Sequence, residues 1–324
     1  MGSSKYKIAI IIPYFGRWPE WFGYFLQSCR YNTSVNWFFF TDCKIPEIDR
    51  EHIRFFQFTL DNFNELASRK TGVKIEIKHP YKLCDLKPAY GDIFAEYLTG
   101  FDFWGYGDID LIYGNFNHFF NEEILTGHDI LSNHDEFISG HLCLIRNSPV
   151  TVFLYRKDDI YKKAFCDPFY TGFDEQLLKR KFNPNGTGLK ARMRSHLKQH
   201  INKVAANKMI SRMAPAWLKS MVKRKSNTEI RDFTSIVRHY ADSEGISVLQ
   251  RRTFQSDLML KKLGIKKWEI FWDRGRLISS CMQEDILYFH FILSKLSESF
   301  TFEGFELAMD QFSISSSGIR GGSV

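Results

Sequence analysis

Two aspartates stand one residue apart directly behind an apolar stretch at residues 101–107: Asp108-Ile109-Asp110. In an extended chain, side chains at positions i and i+2 point to the same side. Hard divalent cations such as Mg²⁺ or Mn²⁺ prefer carboxylate oxygens, and they bridge such a pair to a substrate diphosphate. The pair therefore predicts a metal site at Asp108 and Asp110, with a solvated turn at a strand end as the alternative.

The composition is that of a folded chain of enzyme size. Of 324 residues, 44% are hydrophobic and 25% are charged, which excludes a disordered protein. The six cysteines show no C-x-x-C spacing, so a zinc ribbon is not expected. The apolar runs are far shorter than the roughly 20 residues of a membrane-spanning helix, and no secretory leader is recognisable. We expect a cytoplasmic protein.

The first half alternates strand-like and helix-like segments, which predicts an α/β fold with a mostly parallel sheet flanked by helices. The expected strands cover residues 7–12, 35–40, 53–58 and a segment from about 101, and the expected helices cover 18–31, 61–69, 88–98, 116–125 and 173–180. After residue 227 the pattern becomes rich in strands. Ligands of open α/β sheets bind beyond the carboxyl ends of the strands. Pro13, Tyr14 and Asp42, which follow two strands, are therefore candidate site residues beside the aspartate pair.

The net charge of +7 is concentrated in one segment. Between Lys179 and Lys225 there are fourteen lysines and arginines and no acidic residue, which leaves 30 basic against 37 acidic residues elsewhere. Apolar residues recur in this segment at helical spacing and predict amphipathic helices broken at Pro215. Contact with an anionic membrane surface and packing on the protein body both remain open. Nucleic-acid binding is not expected, because no groove-reading motif is present.

Three further segments follow the aspartate pair in a fixed order: Ile138-Ser139-Gly140 before an apolar run, Asp174-Glu175-Gln176-Leu177-Leu178, and His290-Phe291 with Lys295 five positions after the histidine. This order resembles metal-dependent glycosyltransferases of the GT-A fold, of the glycogenin-like and bacterial polysaccharide type. The resemblance spans roughly residues 7–295. It departs from the family where Ile138 replaces an asparagine, where the glycine between His290 and Lys295 is absent, and where no Pro-Trp follows Lys295.

The resemblance implies a GT-A, Rossmann-like core that binds Mn²⁺ or Mg²⁺ and a nucleoside-diphosphate sugar, with a UDP-sugar as the expected donor. The implied roles are metal binding by Asp108, Asp110 and His290; nucleoside binding by Pro13, Tyr14 and Asp42; ribose or diphosphate contacts by Asp85, Lys87 and Lys295; a position under the donor sugar for Ser139 and Gly140; and contact with the acceptor hydroxyl or the anomeric centre by Asp174 and Glu175. The residues alone also allow structural roles in place of these functional ones. His290 can be a core histidine, Lys295 a surface lysine, and Asp174 and Glu175 an acidic helix start.

The expected activity is sugar transfer to a hydroxyl of a glycan, including a lipid-linked polysaccharide intermediate, with retention of configuration mildly favoured. The expected division is 1–178 as the nucleotide-sugar-binding core, 179–226 as a basic amphipathic helical insertion with peripheral contact to the inner face of the cell membrane, 227–312 as the part that completes the active site, and 313–324 as a flexible tail.

Two other functions are alternatives to sugar transfer. A nucleotidyltransferase acting on sugar phosphates normally has a glycine-rich basic loop after the first strand, where this chain has only Gly16 and Arg17. A non-enzymatic membrane- or nucleic-acid-binding protein would act through the basic segment.

Overall fold

The computed structural model describes residues 5–48, 50–175, 232–281, 283–306 and 309–322. The basic insertion expected at 179–226 lies outside the described residues, as does most of the helix expected at 173–180. The domain division therefore remains a prediction. In the described residues, no helix is both long and apolar enough to cross a bilayer. All six cysteines are free thiols.

The strands, in chain order, are β1 (Ile8–Tyr14), β2 (Val35–Thr41), β3 (Ile53–Gln57), β4 (Phe103–Gly107), β5 (Leu111–Tyr113), β6 (Ile130–Ser132), β7 (Leu142–Arg146), β8 (Val248–Gln250), β9 (Phe254–Ser256), β10 (Glu269–Asp273), β11 (Arg276–Ser279), β12 (Glu284–Asp285), β13 (Tyr288–His290), β14 (Thr301–Glu303), β15 (Gln311–Ser315) and β16 (Gly318–Gly321). The α-helices are α1 (Phe22–Tyr31), α2 (Leu60–Thr71), α3 (Tyr90–Ile93), α4 (Phe116–Phe119), α5 (Glu122–Gly127), α6 (Pro149–Val152), α7 (Ile160–Cys166), α8 (Phe233–Tyr240) and α9 (Asp257–Lys262).

A mixed sheet of seven described strands forms the centre, in the order β3-β2-β1-β4-β7-β6-β8. Its first four strands are parallel, while β7 runs antiparallel to both β4 and β6. Residues Ile8, Ile10 and Ile12 of β1 face one hydrophobic cluster, and Ala9 and Ile11 face the other. A strand covered on both faces reads as a continuous apolar run, which is why its position was predictable. The expected α/β class with a large sheet is confirmed.

Two smaller sheets complete the described fold. A three-stranded sheet has the order β5-β13-β9, and a six-stranded sheet has the order β12-β11-β10-β15-β16-β14. β10 and β11 form an antiparallel hairpin, with positive φ angles at Arg274 and Gly275 in its turn. The C-terminal part is rich in strands, as its pattern indicated.

The chain end from Ser313 was expected to be a frayed, flexible tail, and the structure corrects this. Residues 311–315 and 318–321 form β15 and β16. Phe312 and Ile314 alternate with more exposed neighbours, and Phe312 stacks on Trp272 with 4.6 Å between ring centroids. The serines occupy the exposed positions of a period-two strand, so composition alone was a misleading guide.

The single helix expected over residues 88–98 is also corrected. The chain forms a 3₁₀ helix at Pro80–Ala89, the short α3, and a second 3₁₀ helix at Ala95–Leu98. Pro88 lacks the N–H that a continuing helix needs. Gly91 lies against Trp104, and a Cβ added there would fall 2.6 Å from the indole nitrogen. Packing against β4 therefore decides the local conformation.

Three other helices differ from the helices expected from the sequence. The helix expected at 18–31 begins only at Phe22, where the amide of Phe22 bonds the carbonyl oxygen of Pro19. The helix expected at 61–69 begins at Leu60, and Thr59 caps it through reciprocal hydrogen bonds with Asn62 of 3.0 and 3.1 Å. The helix expected at 116–125 is split into α4 and α5, each with its own asparagine cap.

Gly105, in the middle of β4, offers a test of this packing. A Cβ at Gly105 would fall 2.5 Å from the carbonyl oxygen of Cys143 and 2.8 Å from Ile10. We expect Gly105→Ala to lower the free energy of unfolding by about 1–3 kcal/mol through overpacking, measured by urea denaturation. Gly127→Ala is the matched control because no heavy atom lies within 4 Å of its added Cβ. Equal stability of the two variants would contradict the packing described for β4.

Candidate metal centre

The backbone of the aspartate pair is fixed where β4 ends. The amide of Asp108 donates to the carbonyl oxygen of His141 at 3.0 Å, and the indole N–H of Trp21 donates to the carbonyl oxygen of Ile109 at 2.9 Å. The carbonyl oxygen of Asp110 accepts from the amide of Phe291 at 3.3 Å. Three elements that are distant in sequence therefore set the direction of the two carboxylates.

The three-stranded sheet brings His290 to the pair. β5 starts at the residue after Asp110, and β13 runs antiparallel to it with His290 opposite Leu111. The Nε2 atom of His290 lies 3.2 Å from Oδ2 of Asp110. The register of β5 and β13 thus brings together His290 and Asp110, which are 180 positions apart in the chain.

Asp108, Asp110 and His290 fit a divalent cation. One ligand atom from each lies within 4.8 Å of the other two. Bond lengths of about 2.0–2.2 Å separate neighbouring ligands by about 3–4 Å, so small side-chain adjustments suffice. The second ring nitrogen of His290, Nδ1, is buried without a hydrogen-bond partner among the described residues. Two carboxylates and an imidazole are a donor set that suits Mn²⁺ or Mg²⁺.

Each carboxylate of the pair is also bound by a lysine. The Nζ atom of Lys87 lies 2.5 Å from Oδ1 of Asp108, and Lys295 binds Oδ2 of Asp110. Burial alone would raise the pKa of Asp110, but Lys295 and then His290 outweigh it and hold this pKa well below its ordinary range. Burial alone would lower the pKa of Lys87, but the negative charge of Asp108 outweighs burial and raises this pKa well above its ordinary value. Both lysines therefore stay cationic beside the metal candidates.

Gly140 connects Lys87 to the acidic pair at 174–175. Its carbonyl oxygen accepts from Nζ of Lys87 at 2.6 Å, and its amide donates to Oε2 of Glu175 at 2.8 Å. A Cβ at this position would fall 2.6 Å from Oδ2 of Asp174. A side chain at this position would have to displace the carboxylates of Asp174 and Glu175, and the glycine of the Ser-Gly pattern avoids this.

Asp174 and Glu175 are carboxyl groups with raised pKa values. Burial, and then the neighbouring Glu175, raises the pKa of Asp174 well above its usual range, although Tyr170 donates a hydrogen bond of 2.9 Å to it. Burial raises the pKa of Glu175 to about 7. A carboxyl group with a pKa near neutral, as Glu175 has, can serve as a general acid or base.

Asp85 was expected to contact ribose or diphosphate, and the structure places it elsewhere. It is fully buried, and Lys82 binds it at 2.8 Å. Its two oxygens also accept from the amides of Thr171 and Phe173, both at 2.7 Å. With every oxygen engaged inside the protein, Asp85 holds the loop that leads to Asp174 and has no open side for a ligand.

Ser139 was expected under the donor sugar, but its side chain is fully buried. Its amide donates to Ser132 and its hydroxyl oxygen accepts from the amide of Leu142. His141, which directly follows the Ser-Gly pair, lies near the candidate metal ligands. Its ring is 5.0 Å from that of His290, and its Nδ1 is 2.7 Å from the hydroxyl oxygen of Tyr288. Only its position after the Ser-Gly pair could have indicated this location from the sequence.

The expected nucleoside residues meet at one edge of the sheet. Tyr14 pairs with Thr41 across β1 and β2, so Pro13, Tyr14 and Asp42 lie at adjacent strand ends. The Tyr14 ring stacks on Trp18 at 5.1 Å, and burial, Cys43 and Asp110 together raise the pKa of Tyr14 to about 12. β1 and β4 are parallel neighbours in the sheet, so the end of β1 lies beside the end of β4 that the metal candidates follow. Asp42 is exposed, and one of its oxygens accepts from the amide of Gly16 at 2.7 Å.

These observations define an α/β protein with a candidate divalent-cation centre at the carboxyl ends of its parallel strands. The chain belongs to the DUF6625 family, a family of unknown function whose model matches residues 10–320. No curated protein matches the sequence. Among solved structures, the galactosyltransferase LgtC in complex with donor and acceptor sugar analogues is similar at 12% identity, over 48% of this chain and 64% of that chain, with a TM-score of 0.29. The match thus covers less than two thirds of that transferase.

The buried Lys82–Asp85 pair should be costly to break. We expect Asp85→Ala to lower the free energy of unfolding by about 3–5 kcal/mol, because it leaves an uncompensated ammonium in the interior. Glu76→Ala, which breaks an exposed pair with Lys74, is the control and should leave stability unchanged. Chemical denaturation compares the two, and an equally small loss in Asp85→Ala would exclude the internal role assigned to this residue.

Glu175 should make stability depend on pH. Because its pKa is raised in the folded state, the folded protein holds more protons than the unfolded chain between about pH 4.5 and 7, and the free energy of unfolding falls as pH rises through this window. Glu175→Gln should remove part of that fall, so that its stability relative to the parent protein increases from pH 5 to pH 8. Glu96→Gln is the control, because Lys70 lowers the pKa of this exposed carboxyl. Parallel curves for the parent and Glu175→Gln would refute the shift.

Proposed function

We propose that this protein is a metal-dependent glycosyltransferase of the GT-A type, which moves a sugar from a nucleoside-diphosphate donor to a hydroxyl of a glycan. The observation that carries the proposal is the cluster of Asp108, Asp110 and His290, with ligand atoms within 4.8 Å of one another. It is supported by the order of the sequence motifs. Two of these motifs contact each other directly through Asp110 and Lys295, which are 185 positions apart in the chain.

The donor end of the site is formed by the edge at Tyr14 and by the two lysines. In this proposal Pro13, Tyr14 and Asp42 hold the nucleoside, and Asp42 offers the ribose or base its second carboxylate oxygen. A departing nucleoside diphosphate gains negative charge, which Lys87 and Lys295 are placed to meet. A bound Mn²⁺ or Mg²⁺ would supply Lewis-acid stabilisation of the same charge. A UDP-sugar is the proposed donor.

In this proposal the sugar lies beside the acidic pair Asp174 and Glu175, whose carboxylates occupy the space that a side chain at Gly140 would fill. With a pKa of about 7, Glu175 is suited to take or give a proton at an acceptor hydroxyl. Asp174, which Tyr170 orients, holds the acceptor or the anomeric centre. Lys87 contacts both Asp108 and Gly140 and so ties the two ends of the site together.

A nucleotidyltransferase is less well supported. The loop after β1 would have to cradle phosphates with free amides, and the amide of Gly16 is already bound to Asp42. The lipid-linked acceptor, the cytoplasmic location and the contact of residues 179–226 with an anionic membrane belong to the proposal as predictions from the sequence.

The proposal predicts metal-dependent binding of a nucleoside diphosphate. Calorimetry with a panel of nucleoside diphosphates should detect binding in the presence of Mn²⁺ and much weaker binding without it. Asp110→Asn preserves the shape of the side chain and should abolish the Mn²⁺-dependent part, and it should lower the turnover of the matching nucleotide sugar by about 100-fold or more.

The matched control is Asp102→Asn. Asp102 precedes the same strand at its opposite end, where its carboxylate accepts from the amide of Lys7 at 2.7 Å. This variant should bind and turn over like the parent protein. Equal binding with and without Mn²⁺ in the parent protein, or full activity of Asp110→Asn, would refute the proposed function.

A further inference from the structure

Asp257 is a buried carboxylate to which the sequence patterns assigned no role. It directly follows β9 and begins α9, which Ser256 caps. Its Oδ1 atom accepts from the amide of Ile292 at 3.1 Å, and its Oδ2 atom accepts from the amides of Leu293 and Ser294 at 2.8 and 2.6 Å. Three successive peptide groups of another segment therefore converge on one side chain.

The register of the three-stranded sheet explains this convergence. β9 and β13 are parallel, with Ser256 beside His290, so both strands end at the same level. The residue after β9 is Asp257, and the chain after β13 turns past it into the 3₁₀ helix Ser294–Leu296. The turn that Asp257 holds is therefore the one that joins the metal candidate His290 to Lys295.

This turn determines where the Lys295 ammonium group can reach. A lysine side chain is a flexible stem with a point charge at its end, and its reach depends on the position of its own Cα. Lys295 is partly buried, and it binds Asp110.

We propose that Asp257 is a positioning residue, which acts by fixing residues 292–294 so that the ammonium group of Lys295 faces the aspartate pair and the phosphates of a bound donor. The inference rests on the proposed function, because it needs a diphosphate beside Asp108 and Asp110. It adds a residue that acts entirely through Lys295. Asp257 does not itself touch the ligand, since its oxygens are engaged by the three amides.

Asp257→Asn is the direct test, because the amide places an NH₂ group where one carboxylate oxygen now accepts hydrogen bonds. The probes are Mn²⁺ alone, and UDP or inorganic pyrophosphate in the presence of Mn²⁺, each measured by calorimetry. We expect Mn²⁺ binding to stay within about twofold of the parent protein and the affinity for both anions to fall about tenfold. Pyrophosphate removes any dependence on the nucleobase.

A double-mutant cycle with Lys295→Met separates positioning from general destabilisation. Lys295→Met alone should weaken anion binding at least as much as Asp257→Asn, and the double variant should bind no more weakly than Lys295→Met. Asp129→Asn is the matched control. Asp129 also accepts a backbone amide, that of Ser247 at 2.9 Å, but it precedes β6 at the end opposite the site, and anion binding should be unchanged.

The outcomes distinguish a failure of the proposed function from a failure of the role proposed for Asp257. If the parent protein binds neither anion in a Mn²⁺-dependent way, the proposed function fails, and this inference fails with it. If the parent protein binds and Asp257→Asn binds equally well, or if the two substitutions act independently in the double variant, only the role of Asp257 is refuted. Should Asp257→Asn unfold, Asp257→Glu retains the charge on a longer side chain and should give an intermediate loss of anion affinity, whereas parent-like affinity would overturn the inference.

Discussion

The neutralisation of two adjacent carboxylates is the interaction on which this structure depends. Asp108 and Asp110 are held on the same side of the chain, and their mutual repulsion would be severe in a partly buried site. Lys87 compensates one and Lys295 compensates the other, which His290 also contacts. The two lysines come from opposite halves of the chain, so the halves are joined electrostatically at the point where β4 ends.

The three-stranded sheet fixes the position of His290 relative to Asp110. β5 continues from Asp110, β13 delivers His290, and β9 ends beside it. Trp21 ties the same site to the N-terminal layer through Ile109, and its ring packs edge-on against Phe291 at 5.5 Å. A site held by backbone hydrogen bonds and aromatic packing needs little rearrangement when a ligand arrives, which favours catalysis by preorganised charge.

The sequence predicted the central sheet and the aspartate pair well, because both depend on local signals. Continuous apolar runs identify buried strands, and acidic residues after a strand identify the ligand-binding edge. It did not predict the hydrogen bonds that Asp85, Ser139 and Asp257 make to other parts of the protein, because residue type does not say whether a polar group faces a ligand or the protein's own backbone. Tertiary packing decides that question, as it decided the strands of the serine-rich C-terminal end.

The partners of each carboxylate divide the acids into two groups. Asp85 and Asp257 accept two and three backbone amides, respectively, and these bonds are part of the fold. The side chains of Asp108 and Asp110 are bound instead by lysine and histidine side chains. A side-chain cation can move to a phosphate without unfolding a turn, whereas a peptide amide cannot. In the proposed function, the second group is therefore the one that would exchange its partners for a metal ion and a diphosphate.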